Sequence, residues 1–342
     1  MRLPHTPGPA RRSVQYLRYR TGLIRSVHTF HREAVERITL VVPDSLGDIA
    51  INSAITRAIR LRGAPAEITL LTDRKYASAV AFNPDYDAVA LLDGYTDKPP
   101  WALTYQEQLA AAKALTPAMD ALVLCQPGAW CDALWSRFHS LDIQYRLSGT
   151  PPALRRLPRL TVPAGAAEAV RPIRQRAVGR TAFIAPGAFT LKFGAAGERF
   201  FTELAARLVG AGWQVYWNGA EAPSPAGGAP GGAGSVVAVG HLPLAQVVAL
   251  ASSCERAVCA RSGLADVITF CTPELPQYVL YPRTRYPYSR RPVRECYSLR
   301  AMGGVNVRES ENSLDTDADL SAELAAVGQW LESPRKHTES TP

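Results

Sequence analysis

The chain of 342 residues contains no long apolar run. A helix that spans a bilayer needs about 20 consecutive apolar residues, whereas the longest apolar runs here are strand-like segments such as residues 38–43. The amino terminus is rich in arginine but carries no apolar stretch of the length that a secretory signal requires. The sequence therefore predicts a cytoplasmic protein without a membrane span.

The cysteines lack the spacing of a metal site. No C-x-x-C pair occurs, and the histidines do not bracket the cysteines, which argues against the usual zinc patterns. Cysteines of cytosolic proteins are kept reduced, so we expect reduced core residues and no bound metal. The six are Cys125, Cys131, Cys254, Cys259, Cys271 and Cys296.

Acidic residues are fewer than basic ones: 30 Asp and Glu against 38 Lys and Arg give a net charge of +8. This charge favours acidic partners, among them nucleic acid, anionic lipid and phosphorylated small molecules. A GC-rich genome also produces an arginine- and alanine-rich composition, so the charge alone selects none of these partners.

Basic residues are concentrated in residues 1–36, where seven arginines stand against two glutamates. Apolar residues between positions 14 and 30 recur at loosely helical spacing. Two interpretations stay open. The segment is either a basic amphipathic helix that lies on an anionic membrane surface or a solvated extension packed on the domain that follows.

Short apolar runs alternate with helical segments in both halves of the chain, which is typical of parallel βαβ units. The predicted strands are residues 37–43, 67–72, 88–92, 120–125, 143–147, 181–185, 213–217, 236–239, 256–260 and 278–281. The predicted helices are residues 49–62, 75–82, 105–115, 132–139, 197–210, 244–254, 262–270 and 320–331. The pattern predicts an α/β fold of two Rossmann-like, doubly wound domains whose strand ends face a cleft.

The predicted domains follow from composition. Residues 1–36 are the basic extension, residues 37–150 the first Rossmann-like domain, and residues 151–180 a linker rich in Pro, Arg and Ala. Residues 181–315 form the second domain, and residues 316–342 a terminal helix with a disordered tail. The Gly/Pro/Ala run at residues 223–234 predicts a mobile surface loop.

The first strand of the first domain ends in the turn PDSLGD, residues 43–48. Gly47 permits a close backbone approach, and the helix start behind it favours anions. A carboxylate at Asp48 can take the proton from an acceptor hydroxyl. The structural alternative is helix capping, for which Asp44, Ser45 and Asp48 are all suited.

The first strand of the second domain ends in PGAFTLKF, residues 186–193. A glycine turn at Gly187 with Thr190 and Lys192 can bind phosphate through backbone amides, a hydroxyl and a positive charge. The Walker pattern G-x-x-x-x-G-K-[ST] is absent from the segment. The alternative is an ordinary strand-to-helix loop with a surface lysine.

A third turn, ARSGLAD at residues 260–266, again joins a strand to a helix. Ser262 and Gly263 can offer amides to a pyrophosphate, and Arg261 adds positive charge. Asp266, one turn into the helix, can accept hydrogen bonds from sugar hydroxyls. The alternative is a cap at Ser262 and an ion pair between Arg261 and Asp266.

Two D-x-D segments, at residues 85–87 and 315–319, are interpreted as structural. One lies in a turn beside Pro84, and the other leads into the terminal helix.

Residues 283–300 interleave arginines with Tyr286, Tyr288 and Tyr297. Such a segment suits a phosphorylated acceptor, a diphosphate-sugar, a membrane headgroup layer or single-stranded nucleic acid, or it is a solvated crossover. We expect no nucleic-acid partner.

These turns stand in an order that resembles a known family. VVPDSLGDIAINSAITRAIR followed by EITLLTDRKYASAVAFNPDYDAVALLD is similar to the opening of the bacterial lipopolysaccharide heptosyltransferases, which are GT-B glycosyltransferases. IAPGAFTLKF, FFTELAARLVGAGWQVYWNG and GHLPLAQVVALAS follow in the family's order. The resemblance covers about residues 37–282 and implies the GT-B fold.

The resemblance also implies roles for single residues. Asp48 falls on the family's catalytic base, and Thr190 and Lys192 fall in its donor-phosphate loop. Ser45 and Gly47, in the same turn as Asp48, are predicted to bind the acceptor. Glu221 lies near a glutamate directed at the donor nucleoside, and Ser262, Gly263 and Leu264 match the turn near the transferred sugar.

One motif departs from the family. Its usual form is Asp-Ser/Thr-Gly-Leu-x-His, whereas this chain has Arg261 and Asp266 at the outer positions, as in some fucosyltransferase-like GT-B enzymes. The implied reaction is an inverting, metal-independent sugar transfer from a nucleotide donor to a glycan or lipid-linked acceptor, without a cofactor. A nucleotide-sugar epimerase and a non-catalytic GT-B-like binding protein are the alternatives.

Overall fold

The computed structural model describes residues 35–42, 45–62, 67–93, 105–124, 132–188, 191, 193–223, 234–286 and 291–334. These residues form two compact units. The first contains the described residues up to Pro163 together with those of Arg285–Gly303, and the second contains Ala164–Thr284 and the described residues from Gly304 onward. Among the described residues, no helix combines the length and the apolar character that crossing a membrane requires.

The first unit is built on a parallel sheet. Its described strands are β1 Arg37–Val41, β2 Glu67–Asp73, β3 Ala88–Leu92 and β4 Ala121–Leu124. They lie in the order β3-β2-β1-β4 and pair in parallel, with Ile38 opposite Ile68 and Ala121. All of β1 after its first residue is buried, which explains its continuous apolar sequence, because parallel sheets are covered on both faces.

The described helices of the first unit up to Pro163 are α1 Leu46–Ile51, α2 Ser53–Arg60, α3 Tyr105–Leu115, α4 Asp132–Trp135 and α5 Ser140–Ser148. The single helix predicted at residues 49–62 is divided at Asn52. Asn52 Nδ2 donates to the carbonyl of Asp48 at 2.7 Å, and Ser53 Oγ donates to that of Ala50 at 2.7 Å. Such side-chain bonds compete with the helical ladder and bend helices.

The structure refines one further prediction in the first unit and contradicts another. The helix predicted at residues 75–82 is present as a 3-10 helix, Arg74–Phe82. The predicted strand at residues 143–147 lies within α5. The alternation of Ile143, Tyr145 and Leu147 resembles a strand, but all three side chains are buried in a helix that is covered on more than one side. His139 Nδ1 accepts from the Leu141 amide at its start, and Gly149 ends it at φ 68°.

The second unit has a larger parallel sheet. Its strands are β5 Thr181–Ala185, β6 Gln214–Trp217, β7 Val236–Ala238, β8 Arg256–Ala260, β9 Gln277–Pro282 and β10 Val307–Asn312. Within the described residues their order is β10-β9-β8-β5-β6-β7. The strands β5 to β9 match predicted strands, whereas β10 was not predicted. Its sequence, VRESEN, is polar, and β10 lies at the edge of the sheet.

Helices of the second unit pack around this sheet. Those before residue 285 are α6 Ala166–Ala169, α7 Arg171–Gln175, α8 Gly194–Gly210, α9 Leu244–Ser252 and α10 Gly263–Cys271. α11 Val293–Tyr297 belongs to the first unit, and α12 Asp317–Glu332 to the second. Phe200, Phe201 and Leu204 of α8 share one core cluster with Leu324 and Val327 of α12.

The predicted domain boundaries differ from these units in two places. The predicted linker at residues 151–180 contains short helices, and the border between the units lies inside it, after Pro163. Residues 285–303 were predicted in the second domain, but the chain returns there to the first unit. Residues 1–34 and 335–342 lie outside the described residues, as does most of the predicted loop at 223–234.

The cysteines that the structure describes agree with the prediction of reduced core residues. Cys254, Cys259 and Cys296 are buried, and Cys271 is half-buried. Burial raises the pKa of Cys254 and of Cys259 to about 12, so both thiols stay protonated at neutral pH. Cys125 and Cys131 lie outside the described residues.

Candidate functional site

The first unit has a topological switch point at β1. The chain proceeds from β1 to β2 and then to β3, which lie on one side of β1 within the sheet. β4 lies on the other side of β1. Open α/β sheets bind ligands outside the carboxyl ends of the strands at such a point. Ser45, Gly47 and Asp48 follow β1, which ends at Val41, so the predicted acceptor residues and the predicted base lie where this fold class places a ligand.

Capping of α1 is performed by Ser45. Its backbone is extended, and its Oγ accepts from the amide of Asp48 at 3.2 Å. Asp48 lies in the first turn of α1, where a negative charge is favoured by the helix dipole. The capping alternative therefore applies to Ser45 and not to Asp48, and Asp44 lies outside the described residues.

The carboxylate of Asp48 is largely buried, with 7% of the residue exposed. Gln144 Nε2 of α5 donates to Asp48 Oδ1 at 3.1 Å, and Gln144 itself is fully buried. Gln144 was not among the predicted site residues, because residues 143–147 were predicted as a strand. The helix-end residues His139 and Gly149 are the signal that reveals the helix, and with it the inward direction of Gln144.

The second unit has its own switch point between β5 and β8, which are neighbours at the middle of the sheet. Gly187 follows β5 and is exposed, and a Cβ built on it meets no described atom within 4 Å. The turn that begins at Arg261 follows β8. The sheet order thus brings these two predicted donor segments to adjacent strand ends, whereas Thr190 and Lys192 lie outside the described residues.

Glu221 follows β6, the neighbour of β5 on the other side. Its side chain is exposed. The intervening turn is held against β5, because the amide of Asn218 donates to the carbonyl of Ile184 at 2.8 Å. Glu221 therefore lies at the same edge of the sheet as Gly187, where the carboxyl ends of the strands are, and follows the neighbouring strand.

The start of α10 is capped by Ser262, whose Oγ accepts from the amide of Ala265 at 3.4 Å. The amide of Asp266 donates to the Ser262 carbonyl at 3.2 Å. The amides of Gly263 and Leu264 belong to the first turn, for which the helix itself supplies no acceptor. They are the groups that a helix start offers to an anion.

Arg261 and Asp266 form a buried ion pair. Arg261 Nη1 donates to Asp266 Oδ2 at 2.9 Å, and Arg261 Nη2 lies 2.8 Å from Asp266 Oδ1. The two side chains are 4% and 1% exposed. Burial raises the pKa of the Asp266 carboxyl, and the neighbouring guanidinium opposes this rise. The structure thus shows the ion pair that was the alternative to a role in donor binding. Direct contact of Arg261 or Asp266 with a donor stays a prediction.

The D-x-D segments have the structural roles that the sequence predicts. Asp87 Oδ2 accepts from Arg60 Nη2 at 2.6 Å and from the amide of Ile68 at 2.7 Å. Asp317 pairs with Arg199 at 2.6 Å. Asp319 binds the capping residue of α12. These carboxylates hold a turn and a helix start.

Tyr286 and Tyr297 pack into the first unit. Their ring centroids lie 4.6 and 5.1 Å from that of Trp135, and Tyr297 Oη donates to Tyr286 Oη at 2.9 Å. Trp135 is fully buried and Tyr286 is 7% exposed. Of the hypotheses for residues 283–300, the crossover fits these two tyrosines, except that their rings are packed and not solvated. Tyr288 lies outside the described residues.

The second unit also has a shallow pocket of about 450 Å³, which lies away from the predicted donor residues. Its lining includes Arg171, Arg174, Thr181 and Tyr216. Thr181 is the first residue of β5, so the pocket is at the amino end of that strand, whereas Gly187 follows its carboxyl end. The pocket is separate from the predicted donor residues.

Comparison with known proteins adds evidence on the fold. No protein-family model matches the chain, and the search of curated proteins finds no match. Among solved structures, a family 9 glycosyl transferase from Veillonella parvula DSM 2008 is similar at 13% identity and a TM-score of 0.55, over 88% of this chain and 90% of that one.

Two E. coli structures are similar to the same degree. ADP-heptose LPS heptosyltransferase II is 16% identical with a TM-score of 0.56, over 86% of this chain and 98% of that one. Heptosyltransferase WaaC with ADP-2-deoxy-2-fluoro heptose is 16% identical with a TM-score of 0.55, over 86% and 99%. At these identities the likeness concerns the fold, and it confirms the predicted class: two Rossmann-like α/β domains of the GT-B type.

Proposed function

We propose that the protein is a glycosyltransferase that moves a sugar from a nucleotide-diphosphate donor to a hydroxyl group of a glycan, glycolipid or other acceptor. The observation that carries the proposal is the position of Asp48. Its carboxylate lies in the first turn of a helix at a switch point, and Ser45 performs the capping that would otherwise engage it. The likeness in fold to solved glycosyltransferases supports the same reaction class.

In the proposed reaction Asp48 is the general base. It takes the proton of the acceptor hydroxyl while that oxygen forms a bond to the anomeric carbon of the donor sugar. The bond from the anomeric carbon to the diphosphate breaks, and the nucleoside diphosphate leaves on the opposite face, which inverts the configuration. Ser45 and Gly47 bind the acceptor beside Asp48.

The leaving diphosphate is stabilised without a metal ion in this proposal. The amides at the start of α10, from Ser262 to Leu264, and the turn at Gly187 with Thr190 and Lys192 supply positive potential where the negative charge develops. Arg261 and Asp266 shape the first of these turns through their ion pair. Glu221 binds the nucleoside.

The proposal names a class of donor and a class of acceptor. One E. coli neighbour is an ADP-heptose heptosyltransferase, and the other is a heptosyltransferase in complex with ADP-2-deoxy-2-fluoro heptose. ADP-sugars are therefore the first donors to test, and GDP-sugars follow because of the fucosyltransferase-like turn. A lipopolysaccharide or another bacterial cell-surface glycan is the proposed acceptor. We further propose that the protein acts in the cytoplasm and that residues 1–36 contact the inner face of the membrane.

The test of the donor is a thermal-shift panel of UDP-, GDP-, ADP-, CMP- and dTDP-sugars. A donor that raises the Tm supports the proposal and names the nucleotide. An epimerase would convert the nucleotide sugar with no acceptor present, and a non-catalytic binding protein would bind without releasing nucleoside diphosphate. Absence of any shift and of any turnover with the whole panel would contradict the proposal.

Asp48→Asn tests the catalytic base. We expect release of nucleoside diphosphate from the selected donor to fall by about 100-fold or more, because general base catalysis contributes factors of about 10² to 10⁴. The thermal shift by the donor should stay. Asp73→Asn is the matched control, since Asp73 is also a buried aspartate at the end of a strand, where it caps the 3-10 helix. Near-normal turnover of Asp48→Asn would remove the role.

A further inference from the structure

Gln144 is an amide placed against a carboxylate in the interior of the first unit. Its Nε2 donates to Asp48 Oδ1 at 3.1 Å, across 96 residues of sequence. No part of Gln144 is exposed, and Asp48 is 7% exposed. A hydrogen bond between buried groups in a medium of low dielectric holds its geometry more strongly than one in water.

The helix that carries Gln144 is fixed at both ends. At its start, His139 accepts from the Leu141 amide through Nδ1 and lies 3.1 Å from the carbonyl of Ser298 through Nε2. At its end, Gly149 closes α5 in the left-handed conformation. α5 also packs against α2, α4 and β4. The amide of Gln144 therefore approaches Asp48 from a rigid support.

Charged side chains on the elements that pack against α1 have partners of their own. Arg57 of α2 donates to the carbonyl of Leu157 at 2.7 Å. Arg60 of α2 pairs with Asp87, and Arg74 of the 3-10 helix pairs with Asp93. The described contacts of these three guanidinium groups thus involve one carbonyl and two carboxylates.

Gln144 does not have the features of a residue retained for stability alone. Among the described residues, no donor reaches its buried Oε1. A buried acceptor without a donor costs free energy of folding, and a leucine would fill a similar volume without that cost. The one favourable contact of the amide that the structure shows is the bond to Asp48.

We propose that Gln144 is a positioning residue, which holds the carboxylate of Asp48 in one orientation and favours its ionised form, so that the carboxylate can accept a proton. This inference rests on the proposed function, because it assigns Gln144 a part in general base catalysis. Donation of an N–H to one carboxylate oxygen stabilises the charged form and lowers the pKa of the carboxyl group.

The test is a titration of Asp48 itself, by carboxyl ¹³C NMR of the full chain labelled at aspartate. The Asp48 resonance is assigned by its loss in Asp48→Asn. In Gln144→Leu we expect the pKa of Asp48 to rise by about one pH unit, because a donor to the charged form is lost. In Gln144→Glu, which keeps the shape, the rise should be larger, since two carboxyl groups then share one site.

Ser148→Ala is the matched control. Ser148 lies one turn further along α5, is 1% exposed, and bonds to the Tyr145 carbonyl and to Thr150. Its removal should leave the Asp48 titration unchanged. With the donor selected by the thermal-shift panel, Gln144→Leu should lower kcat for nucleoside diphosphate release by about 10-fold, with an unchanged KM for the donor.

The outcomes separate this inference from the function on which it rests. An unchanged Asp48 pKa in both Gln144→Leu and Gln144→Glu would overturn the positioning role, as would an equal shift in Ser148→Ala. If Asp48→Asn kept normal turnover while the Gln144 variants still shifted the titration, the catalytic role of Asp48 would be wrong although the contact is real. If Gln144→Leu does not fold, Gln144→Met, which is unbranched like glutamine and also lacks the N–H donor, supplies the titration.

Discussion

At the scale of single residues, the proposed donor role of Gly187 can be separated from its role in packing. It follows β5 at the switch point of the second unit, and no atom of the described residues lies within 4 Å of the place where a Cβ would be. Packing within the described residues does not require glycine there. A diphosphate that approaches the backbone amides does require it, because a side chain would hold the phosphate away.

Gly187→Ala therefore separates binding from stability. We expect the Tm without ligand to stay the same or rise slightly, since alanine restricts the unfolded chain at a position that tolerates it. Donor affinity should fall by about 10-fold or more, measured as a smaller thermal shift. Gly210→Ala is the control, because Gly210 ends α8 and also has open space around it. A donor affinity unchanged by Gly187→Ala would exclude the turn after β5 from the phosphate site.

At the scale of elements, α12 is attached to the second sheet by a buried glutamate as well as by its apolar face. Glu323 is 6% exposed and accepts from Tyr278 Oη at 2.7 Å, Ser310 Oγ at 3.0 Å and Asn312 Nδ2 at 3.0 Å. Two of these donors are on β10. The polar sequence of that strand is thus explained in part by the carboxylate that it binds.

Glu323→Leu should be strongly destabilising. It leaves three donors without their acceptor, and we expect a loss of about 3 kcal/mol in the free energy of unfolding, measured by urea denaturation. Glu323→Gln should lose less, because its amide oxygen still accepts. Glu332→Leu on the same helix is the control: Glu332 is 65% exposed where it meets Arg180, and exposed pairs contribute about 0 to 1 kcal/mol. Equal losses in both Leu variants would contradict the role of the network.

Several helices and strands could be predicted from the local sequence, and others could not. The strands β1 and β5 to β9 and the helices α8, α9 and α10 lie close to their predicted positions, because each has a clear apolar period. α5 was predicted as a strand because residues 143, 145 and 147 are buried on several sides of a helix, which hides the period of 3.6. β10 was missed because an edge strand with polar partners has little apolar signal.

At the scale of the whole molecule, both described sheets are parallel and each has a switch point next to a helix start. The net charge is distributed unevenly. Residues 1–34 contain seven arginines and one glutamate, which is about three quarters of the net charge of +8. A basic segment of this kind gains about 1 kcal/mol per Lys or Arg near an anionic membrane surface.

Deletion of residues 1–34 tests the proposed membrane contact. We expect the full chain to bind phosphatidylserine vesicles at low salt and to dissociate as the salt concentration rises, since the interaction is electrostatic. The shortened chain should bind at least 10-fold more weakly in co-sedimentation and keep its thermal shift with donor. Equal vesicle binding by both chains would assign the contact to another surface.

The sequence by itself determined the α/β class, the strand-end turns at residues 43–48, 186–193 and 260–266, and Asp48 as the candidate base. These features are local, since a strand, a turn and a helix start are neighbours in the chain. Tertiary structure alone decided that Ser45 caps α1, that Arg261 and Asp266 close on each other, and that Gln144 meets Asp48. The contact between residues 48 and 144 joins two helices far apart in sequence, so only the packing of α5 on the first unit could reveal it.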